Sequence, residues 1–411
     1  GNLLVKINPS GAREDYLYYP AEGAQGCPAN ALGFISALKE RVVTPSPDFA
    51  PAQTIRVRFT YIDLPSLRRG GHRFLLPQSE TLFEDDQNQA RLDTRFEYHD
   101  DTAHEFFARV KQRSLVGQSE ARALVSAYSI EGDYVKTLQT LLVSGHRHVR
   151  EIWHDRLTGL ECRARDAGGN ELIRQYDRIS RVIRQTVASN QSSQGSRTTA
   201  YHADGEQGLR IDVTSVRGVS SKTWVDGLGR TLKVKLQDVD APSQPMRRVH
   251  EAQYDHAGRL ASEVSHDWSG EQSTPSATTY HYDGWGRVCK TVAPEGVITH
   301  DVFDPVSMTR TRWIDGAGKT RTTLNVFGKP DREERLQTLG SDEISSVVAT
   351  FSYDGLGRCV RQTNEAGAET RFSYDVFGRV IETVLADGTS IKKKYSPLST
   401  GEHPIEIKAD D

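Results

Sequence analysis

The sequence predicts an all-β fold, a long antiparallel meander of β-hairpin repeats. Three observations predict it. A six-residue motif recurs along the chain, glycines and an aromatic residue follow the motif at fixed distances, and short β-forming segments lie between them. Because one active site does not need many copies of a motif, the repetition indicates architecture rather than catalysis.

The motif reads aromatic residue, Asp, two variable residues, Gly, Arg. Four copies are complete, and we expect their fixed positions to build the repeat: Tyr254, Asp255, Gly258, Arg259, Tyr282, Asp283, Gly286, Arg287, Tyr353, Asp354, Gly357, Arg358, Tyr374, Asp375, Gly378 and Arg379. Two looser copies, at 224–230 and 313–319, carry Trp one residue further upstream. A degraded copy has Ser180 in the place of the glycine.

A second glycine follows the motif glycine after ten residues, and an aromatic residue follows after seventeen, as Gly367 and Tyr374 follow Gly357. The same spacing begins at Gly1, Gly159, Gly286 and Gly378. Glycine adopts positive φ without steric cost and Asp can accept bonds from the amides ahead of it, so both predict turns. One unit is therefore a hairpin of roughly twenty residues. We expect its aromatic residue to pack against the equivalent residue of the next hairpin.

The regularity of the repeat divides the chain. We predict a partial unit at 1–20, a non-repetitive β-rich insert or subdomain at 21–110, degenerate repeats at 111–200, the regular meander at 201–396 and a C-terminal tail at 397–411. The insert contains strand-like segments at 55–61 and 94–98, and loose loops are expected at 189–199, 240–245 and 269–276. Residues 133–144 also have helical spacing, although the flanking repeats favour a strand.

The gross composition limits the function classes. The chain has 52 Lys and Arg against 55 Asp and Glu, a net charge of −3, which gives no reason to expect nucleic acid or an anionic membrane as partner. No apolar run approaches membrane-spanning length. Hydrophobic content of 36% is low for 411 residues and fits thin sheets that are wet on at least one side. The four cysteines show no paired spacing, so neither a disulfide framework nor a metal cage is expected, although one long-range bridge stays open.

Candidate chemistry is sparse. His146 and His148 would share a strand face near His154 and Asp155, yet surface histidines explain them better than a metal site. The basic cluster at 68–73 fits a solvated loop. The recurrent Gly-x-Gly-Arg lacks the following helix that a phosphate loop needs. We find no nucleophile motif, and expect no catalytic residue, no cofactor, no metal and no enzymatic activity.

The repeated residues resemble the Tyr-Asp (YD) repeats of the RHS, or rearrangement hotspot, family, which is related to the B and C components of insecticidal toxin complexes and to teneurins. The resemblance covers roughly 111–396 and 1–20, and residues 96–110 are similar to a segment that precedes the repeats in B components. It implies that the hairpins wind as a curved sheet and form a segment of a hollow β-shell around a C-terminal toxic domain. The aspartate-based self-cleavage site of the family has no match here, so neither self-proteolysis nor toxicity is assigned.

The resemblance implies a non-catalytic, structural segment of a bacterial shell that encapsulates a toxin cargo. Its partners would be the rest of the parent polypeptide and its C-terminal toxin cargo, with a secretion-system component and carbohydrate as further candidates. The protein would be exported or associated with the cell surface after assembly in the cytoplasm. The chain opens within a repeat and lacks an initiator Met, so we expect a longer parent, and exposed sheet edges that favour self-association. The alternative is a cell-surface adhesin whose Tyr and Trp rings bind carbohydrate.

Overall fold

The residues that the structure describes form a single antiparallel β-sheet of 31 strands. The computed structural model describes residues 2–67, 71–83, 90–117, 120–143, 145–188, 192–203, 208–239, 243–339, 342–396, 398, 401 and 403–410. Within these residues there is no helix, and hence none long and apolar enough to cross a membrane. The predicted all-β, antiparallel hairpin fold is confirmed.

The strand bounds are as follows. The first ten are β1 (Val5–Ile7), β2 (Arg13–Tyr18), β3 (Leu38–Thr44), β4 (Ile55–Pro65), β5 (Arg73–Phe83), β6 (Ala90–Tyr98), β7 (Val110–Gly117), β8 (Ala121–Glu131), β9 (Tyr134–Val143) and β10 (His146–Asp155). The next ten are β11 (Glu161–Arg165), β12 (Glu171–Tyr176), β13 (Val182–Val187), β14 (Gly195–Ala203), β15 (Leu209–Thr214), β16 (Ser220–Val225), β17 (Thr231–Leu236), β18 (Arg247–Tyr254), β19 (Leu260–Ser269) and β20 (Gln272–Tyr282). The last eleven are β21 (Val288–Val292), β22 (Ile298–Asp304), β23 (Thr309–Ile314), β24 (Lys319–Leu324), β25 (Pro330–Leu339), β26 (Asp342–Tyr353), β27 (Cys359–Asn364), β28 (Glu369–Tyr374), β29 (Val380–Val384), β30 (Ser390–Lys394) and β31 (Glu406–Asp410).

Each strand pairs with the next strand in sequence, so the order in space is the order in the chain. The pairing continues through residues 21–110, since β3 pairs with both β2 and β4, and it extends to β30 and β31 at the other end. The predicted strands at 55–61 and 94–98 lie within β4 and β6. The segment for which the sequence also allows a helix forms a strand instead. It is β9, which pairs along its full length with β8 and β10.

The connections of such a meander alternate between two edges of the sheet. The motif turns connect an even-numbered strand to the next odd-numbered one, for example β18 to β19 at Asp255 and β26 to β27 at Asp354. We call this the motif edge. The second-glycine turns, such as those at Gly367 and Gly388, connect odd to even strands and lie on the opposite edge.

The sheet coils until its motif edge meets its own opposite edge. The loop 45–50, which follows β3, lies against the motif turn that follows β26. Ser46 N donates to Gly355 O (2.9 Å), Gly355 N donates to Ala50 O (2.9 Å), and Ala50 N donates to Tyr353 O (3.2 Å). These bonds pair two loops that are some three hundred residues apart, and they bury Asp354 to 1% exposure.

A second contact repeats the same offset. Arg122, in β8, donates to Ser396 Oγ (3.3 Å), and that hydroxyl donates to Glu120 Oε2 (3.3 Å) in the turn that follows β7. Ser396 follows β30. Both contacts therefore join connections that are 23 strands apart, so the sheet completes one turn of a coil in 23 strands.

The dimensions of one turn indicate that the coil is hollow. With neighbouring strands about 4.8 Å apart, one turn has a circumference of roughly 110 Å and a backbone-to-backbone diameter of about 35 Å. The accessible surface is 25135 Å², whereas a compact monomer of 45.8 kDa exposes about 16,000 Å². The excess surface is what a thin wall with two wet faces requires.

The apolar core of this wall is small. One cluster is built from Tyr19, Cys27 and Ala37, with Tyr61 and Leu75 against it. Burial raises the pKa of the Cys27 thiol. All four cysteines are free, so the long-range disulfide left open by the sequence is not formed.

The coil contact makes a matched pair of substitutions informative. A Cβ on Gly355 would lie 2.4 Å from Ser46 O and 2.7 Å from Pro45 Cβ, whereas a Cβ on Gly284, the same position of another motif, would meet nothing within 4 Å. We expect Gly355→Ala to lower the free energy of unfolding by about 1–3 kcal/mol. Gly284→Ala should be neutral or stabilise by up to about 1 kcal/mol. Urea denaturation of both variants checks this, and equal midpoints would contradict the coil contact.

Candidate functional site

The motif turn is held by one aspartate that bonds both the backbone and the arginine. Asp255 Oδ1 accepts from the backbone N–H of Ala257 (2.9 Å) and Arg259 (2.9 Å), while Oδ2 accepts from Arg259 Nε (2.8 Å). The backbone closes the turn, because Asp255 N donates to Arg259 O (2.8 Å) and Gly258 N donates to Asp255 O (2.9 Å). Gly258 has φ of 79°, which explains the glycine at this position.

The other three complete motifs and the looser copy at 224–230 repeat this geometry. The bonds from the turn amides and the arginine Nε to Asp226, Asp283, Asp354 and Asp375 are all between 2.6 and 3.0 Å. The degraded copy keeps it as well, since Asp177 Oδ1 accepts from Arg181 N (2.9 Å) and Ser180 adopts the glycine conformation with φ of 66°.

The arginine of each motif stacks on the aromatic ring of the next motif. Arg259 lies 4.4 Å from the ring centroid of Tyr282, and Arg230 lies at the same distance from Tyr254. The series continues with Arg181 on Tyr201, Arg287 on Phe303, Arg358 on Tyr374 and Arg379 on Tyr395, at 3.9 to 5.0 Å. The ladder that we expected to consist of aromatic rings therefore alternates a ring with a guanidinium.

The tyrosine hydroxyl completes the link between successive hairpins. Tyr254 donates to Thr231 O (3.0 Å), the carbonyl directly after Arg230 of the preceding motif, and Tyr282 donates to Leu260 O (2.8 Å) in the same way. The bonds of Tyr353, Tyr374 and Tyr395 to Pro330, Cys359 and Val380 follow this rule at 2.5 to 2.8 Å. Each motif thus fixes one turn and grips the next hairpin by a ring and a hydroxyl.

These contacts perturb the titration of the motif. Backbone and side-chain hydrogen bonds from Arg259 hold the pKa of Asp255 below its usual range. Hydrogen bonds from Arg230 and Arg287 lower the pKa values of Asp226 and Asp283 in the same way. Burial raises the pKa of Tyr353 to about 12. The aspartates are therefore charged and the tyrosine neutral at neutral pH, which leaves neither poised as a general acid or base.

One predicted copy is wrong and one real copy was missed. Residues 313–319 do not form the motif turn, because Gly316 rather than Gly318 has the positive φ and the turn lies on the opposite edge, between β23 and β24. A motif turn occurs instead at 325–329, where Asn325 Oδ1 accepts from Phe327 N (2.9 Å) and Lys329 N (3.1 Å). Asn and Lys replace Asp and Arg there, and that conservative change was the signal that could have revealed it.

The histidine cluster does not form a metal site among the residues that the structure describes. His146 and His148 are both exposed on β10. No group of three or more His, Cys, Asp or Glu side chains with metal-binding geometry is present in the described ranges. The first residues of the basic cluster, 68–70, lie outside the described part of the chain.

A pocket of about 650 Å³ lies beside the turns at 155–160 and 177–181. Trp153 is part of its lining, but Arg163 and Lys136 lie over that ring at 4.5 and 5.0 Å. The nitrogen of its indole donates to Glu131 Oε2 (2.8 Å). Since cations already cover the ring, Trp153 does not offer the flat aromatic face that a sugar would stack on.

Comparison with known proteins agrees with the motif. A family model described as RHS Repeat matches residues 350–390, which contain the motifs at Tyr353 and Tyr374. The predicted relation to RHS repeats is confirmed in this segment. No curated protein sequence matches the chain.

Several solved structures align with most of the chain. The crystal structure of TcdB2-TccC3 aligns with 97% of this chain and 30% of its own at 10% identity and a TM-score of 0.40. TcdB2-TccC3-TEV aligns with 97% and 32% at 10% identity and a TM-score of 0.46. TcdB2-TccC3-Cdc42 aligns with 88% and 23% at 12% identity and a TM-score of 0.37. The chain spans about a third or less of these chains.

Substitution of the motif aspartate separates its two tasks. Asp255→Asn keeps the Oδ1 acceptor for the turn amides, as Asn325 does natively, and loses the carboxylate charge and the Oδ2 acceptor that hold Arg259. Asp255→Ala loses the Oδ1 acceptor as well. We expect the melting temperature to fall in the order wild type, Asn variant, Ala variant, as measured by circular dichroism. An alanine variant as stable as wild type would contradict the role of the turn.

The pH dependence follows from the lowered pKa values. Since the folded-state pKa of Asp226, Asp255 and Asp283 lies below the unfolded value of about 3.9, their stabilisation is complete above that pH and is lost as the pH falls through the folded pKa. The urea midpoint should therefore be flat near neutrality and drop below about pH 4. The Asp255→Asn variant should show a smaller drop, and a midpoint independent of acid pH would contradict the assignment.

Proposed function

We propose that this chain is a wall segment of an RHS-type shell that encloses a polypeptide cargo, the toxin domain that the resemblance implies, and that its role is structural. The observation that carries the proposal is the coil: the sheet returns to its own edge after 23 strands while exposing far more surface than a compact chain. A coil of this kind surrounds a lumen in which a polypeptide can be held.

The size of the interior limits the state of the cargo. Side chains on the inner face shorten the diameter of about 35 Å by roughly 10 Å, so the free width is about 25 Å. A folded domain of 100 residues has a radius of gyration near 13 Å, which corresponds to a sphere about 34 Å across. The lumen at this segment therefore favours a guest that is not compactly folded.

The wall is suited to hold such a guest because its rigidity does not depend on the lumen. Each hairpin is fixed by its own turn and by the arginine, ring and hydroxyl of its neighbour, as at Arg259 and Tyr282. No apolar filling is required to keep the strip in shape. Both faces can stay wet, which leaves the inner face available to an unfolded chain.

The adhesin alternative is weaker on the same contacts. Trp224, Trp153 and Trp313 have Lys233, Arg163 and His300 on their rings at 4.3 to 4.5 Å. Among the described residues, Trp285 is the tryptophan with a widely exposed ring. A glycan screen in which Trp285→Ser abolishes micromolar binding would favour the adhesin.

Protease protection tests enclosure. An unstructured polypeptide with one protease site is fused after the last residue, and its cleavage rate is compared with that of the free polypeptide. We expect protection by the wild type and by Gly284→Ala, and faster cleavage with Gly355→Ala, which weakens the coil contact. Cleavage at the free rate in all three fusions would contradict enclosure.

A further inference from the structure

The described turns that follow the even-numbered strands from β10 to β28 share one apolar position, both in the motif turns and in the differently built turns at Asp155 and Asp304. It is the second residue after the Asp or Asn of the turn, and its backbone N–H donates to that side chain at 2.9 to 3.0 Å, so its position is fixed. We call these the tip residues: Leu157, Ile179, Leu228, Ala257, Trp285, Val306, Phe327, Leu356 and Phe377. Turn tips at a protein surface normally carry polar residues, since these meet water. The apolar identity needs a cause.

The tip residues form a row along the motif edge. Successive motif turns are two strands apart, which places neighbouring tips about 10 Å from one another. The row runs from the turn after β10 to the turn after β28, and the turn after β14 lies outside the described residues. A row of apolar side chains at this regular spacing differs from scattered surface hydrophobes and indicates an interaction site.

The last part of the row is covered by the chain itself. Phe327 packs against Phe49 of the preceding coil, with ring centroids 4.6 Å apart. Leu356 lies in the turn that bonds to the loop 45–50, and Leu356 and Phe377 are both half-buried. In this part, the opposite edge of one coil is therefore the natural cover of the tip row.

The first part of the row lacks that cover. Five of these tip residues are widely exposed to solvent: Leu157 (96%), Ile179 (67%), Leu228 (79%), Trp285 (77%) and Val306 (93%). The chain changes from exposed to covered tips between Val306 and Phe327, where the coil begins to overlap itself. The two parts belong to the same edge of one sheet.

We propose that the exposed tips at 157–306 are a docking strip for another coil of the same kind, and that in the isolated protein a second copy of this chain supplies it through its opposite edge. We choose this occupant because the later tips of the same edge are already covered by the opposite edge within the chain. The opposite edge also offers a fitting receptor, because Pro245, Met246 and Trp268 line a hollow of about 430 Å³ between two of its turns. The contact is head-to-tail, so it is not self-limiting and can add further copies.

Sedimentation velocity over a wide concentration range tests the proposal. The tip variant is Leu228→Ser with Trp285→Ser, and the matched control is Val302→Ser with Ile344→Ser, which removes two exposed apolar side chains from strands. We expect wild type and control to associate, and the tip variant to dissociate with a constant raised roughly tenfold or more. Melting temperatures should stay alike, since the backbone rather than the side chain of a tip bonds the turn.

A mixture fixes the direction of the contact. The tip variant keeps its opposite edge, so it should still bind the exposed tips of wild type and cap growing assemblies. Absence of any wild-type association, or equal association of wild type and tip variant, would overturn the proposal. So would binding that survives in the tip variant but is lost on Ile407→Pro in β31, because the terminal strand edge would then be the interface.

Discussion

The structure depends on the pairing of one aspartate with one arginine in a five-residue turn. One carboxylate oxygen accepts the turn amides and the other holds the guanidinium, as Asp255 does with Arg259. The arginine held in this way lies over the ring of Tyr282 in the next motif, 4.4 Å from its centroid. A local turn is thereby converted into a contact between hairpins. The energy of each contact is modest for a partly exposed pair, but the same contact recurs along the strip.

This construction explains why a chain with few buried apolar residues forms a wall of 31 strands. Each hairpin needs only its neighbours, so the strip can be thin and long. All motif turns lie on one edge, so the same turn chemistry recurs along it. When the strip coils, the motif edge meets the loops of the earlier coil, and Gly355 allows Ser46 to approach closely. Where the edge is uncovered, its exposed apolar tips form the docking strip that we propose for another coil.

The sequence was sufficient for the local part of this account. Repeated Asp and Gly predicted the turns because their chemistry acts within five residues, and the hairpin spacing predicted the antiparallel meander. It was insufficient where residues far apart meet. The stacking partner of Arg259 requires the distance between two hairpins, and the contact of Ser46 with Gly355 has no sequence pattern. The error at Trp313 arose because Asp315-Gly316 suits a tight two-residue turn, which competes with the motif. The motif search required Asp and Arg themselves, so it did not find the copy at Asn325, where Asn and Lys make equivalent bonds.

The central claim is that the strip closes into a coil with a 23-strand turn. Small-angle X-ray scattering on the dilute monomer tests it most directly. An uncoiled sheet of 31 strands would be about 150 Å long with a radius of gyration on the order of 40 Å. The coil predicts a value in the region of 22–25 Å, since its diameter is about 35 Å, together with the scattering minimum of a hollow body. A radius near 40 Å would contradict the coil.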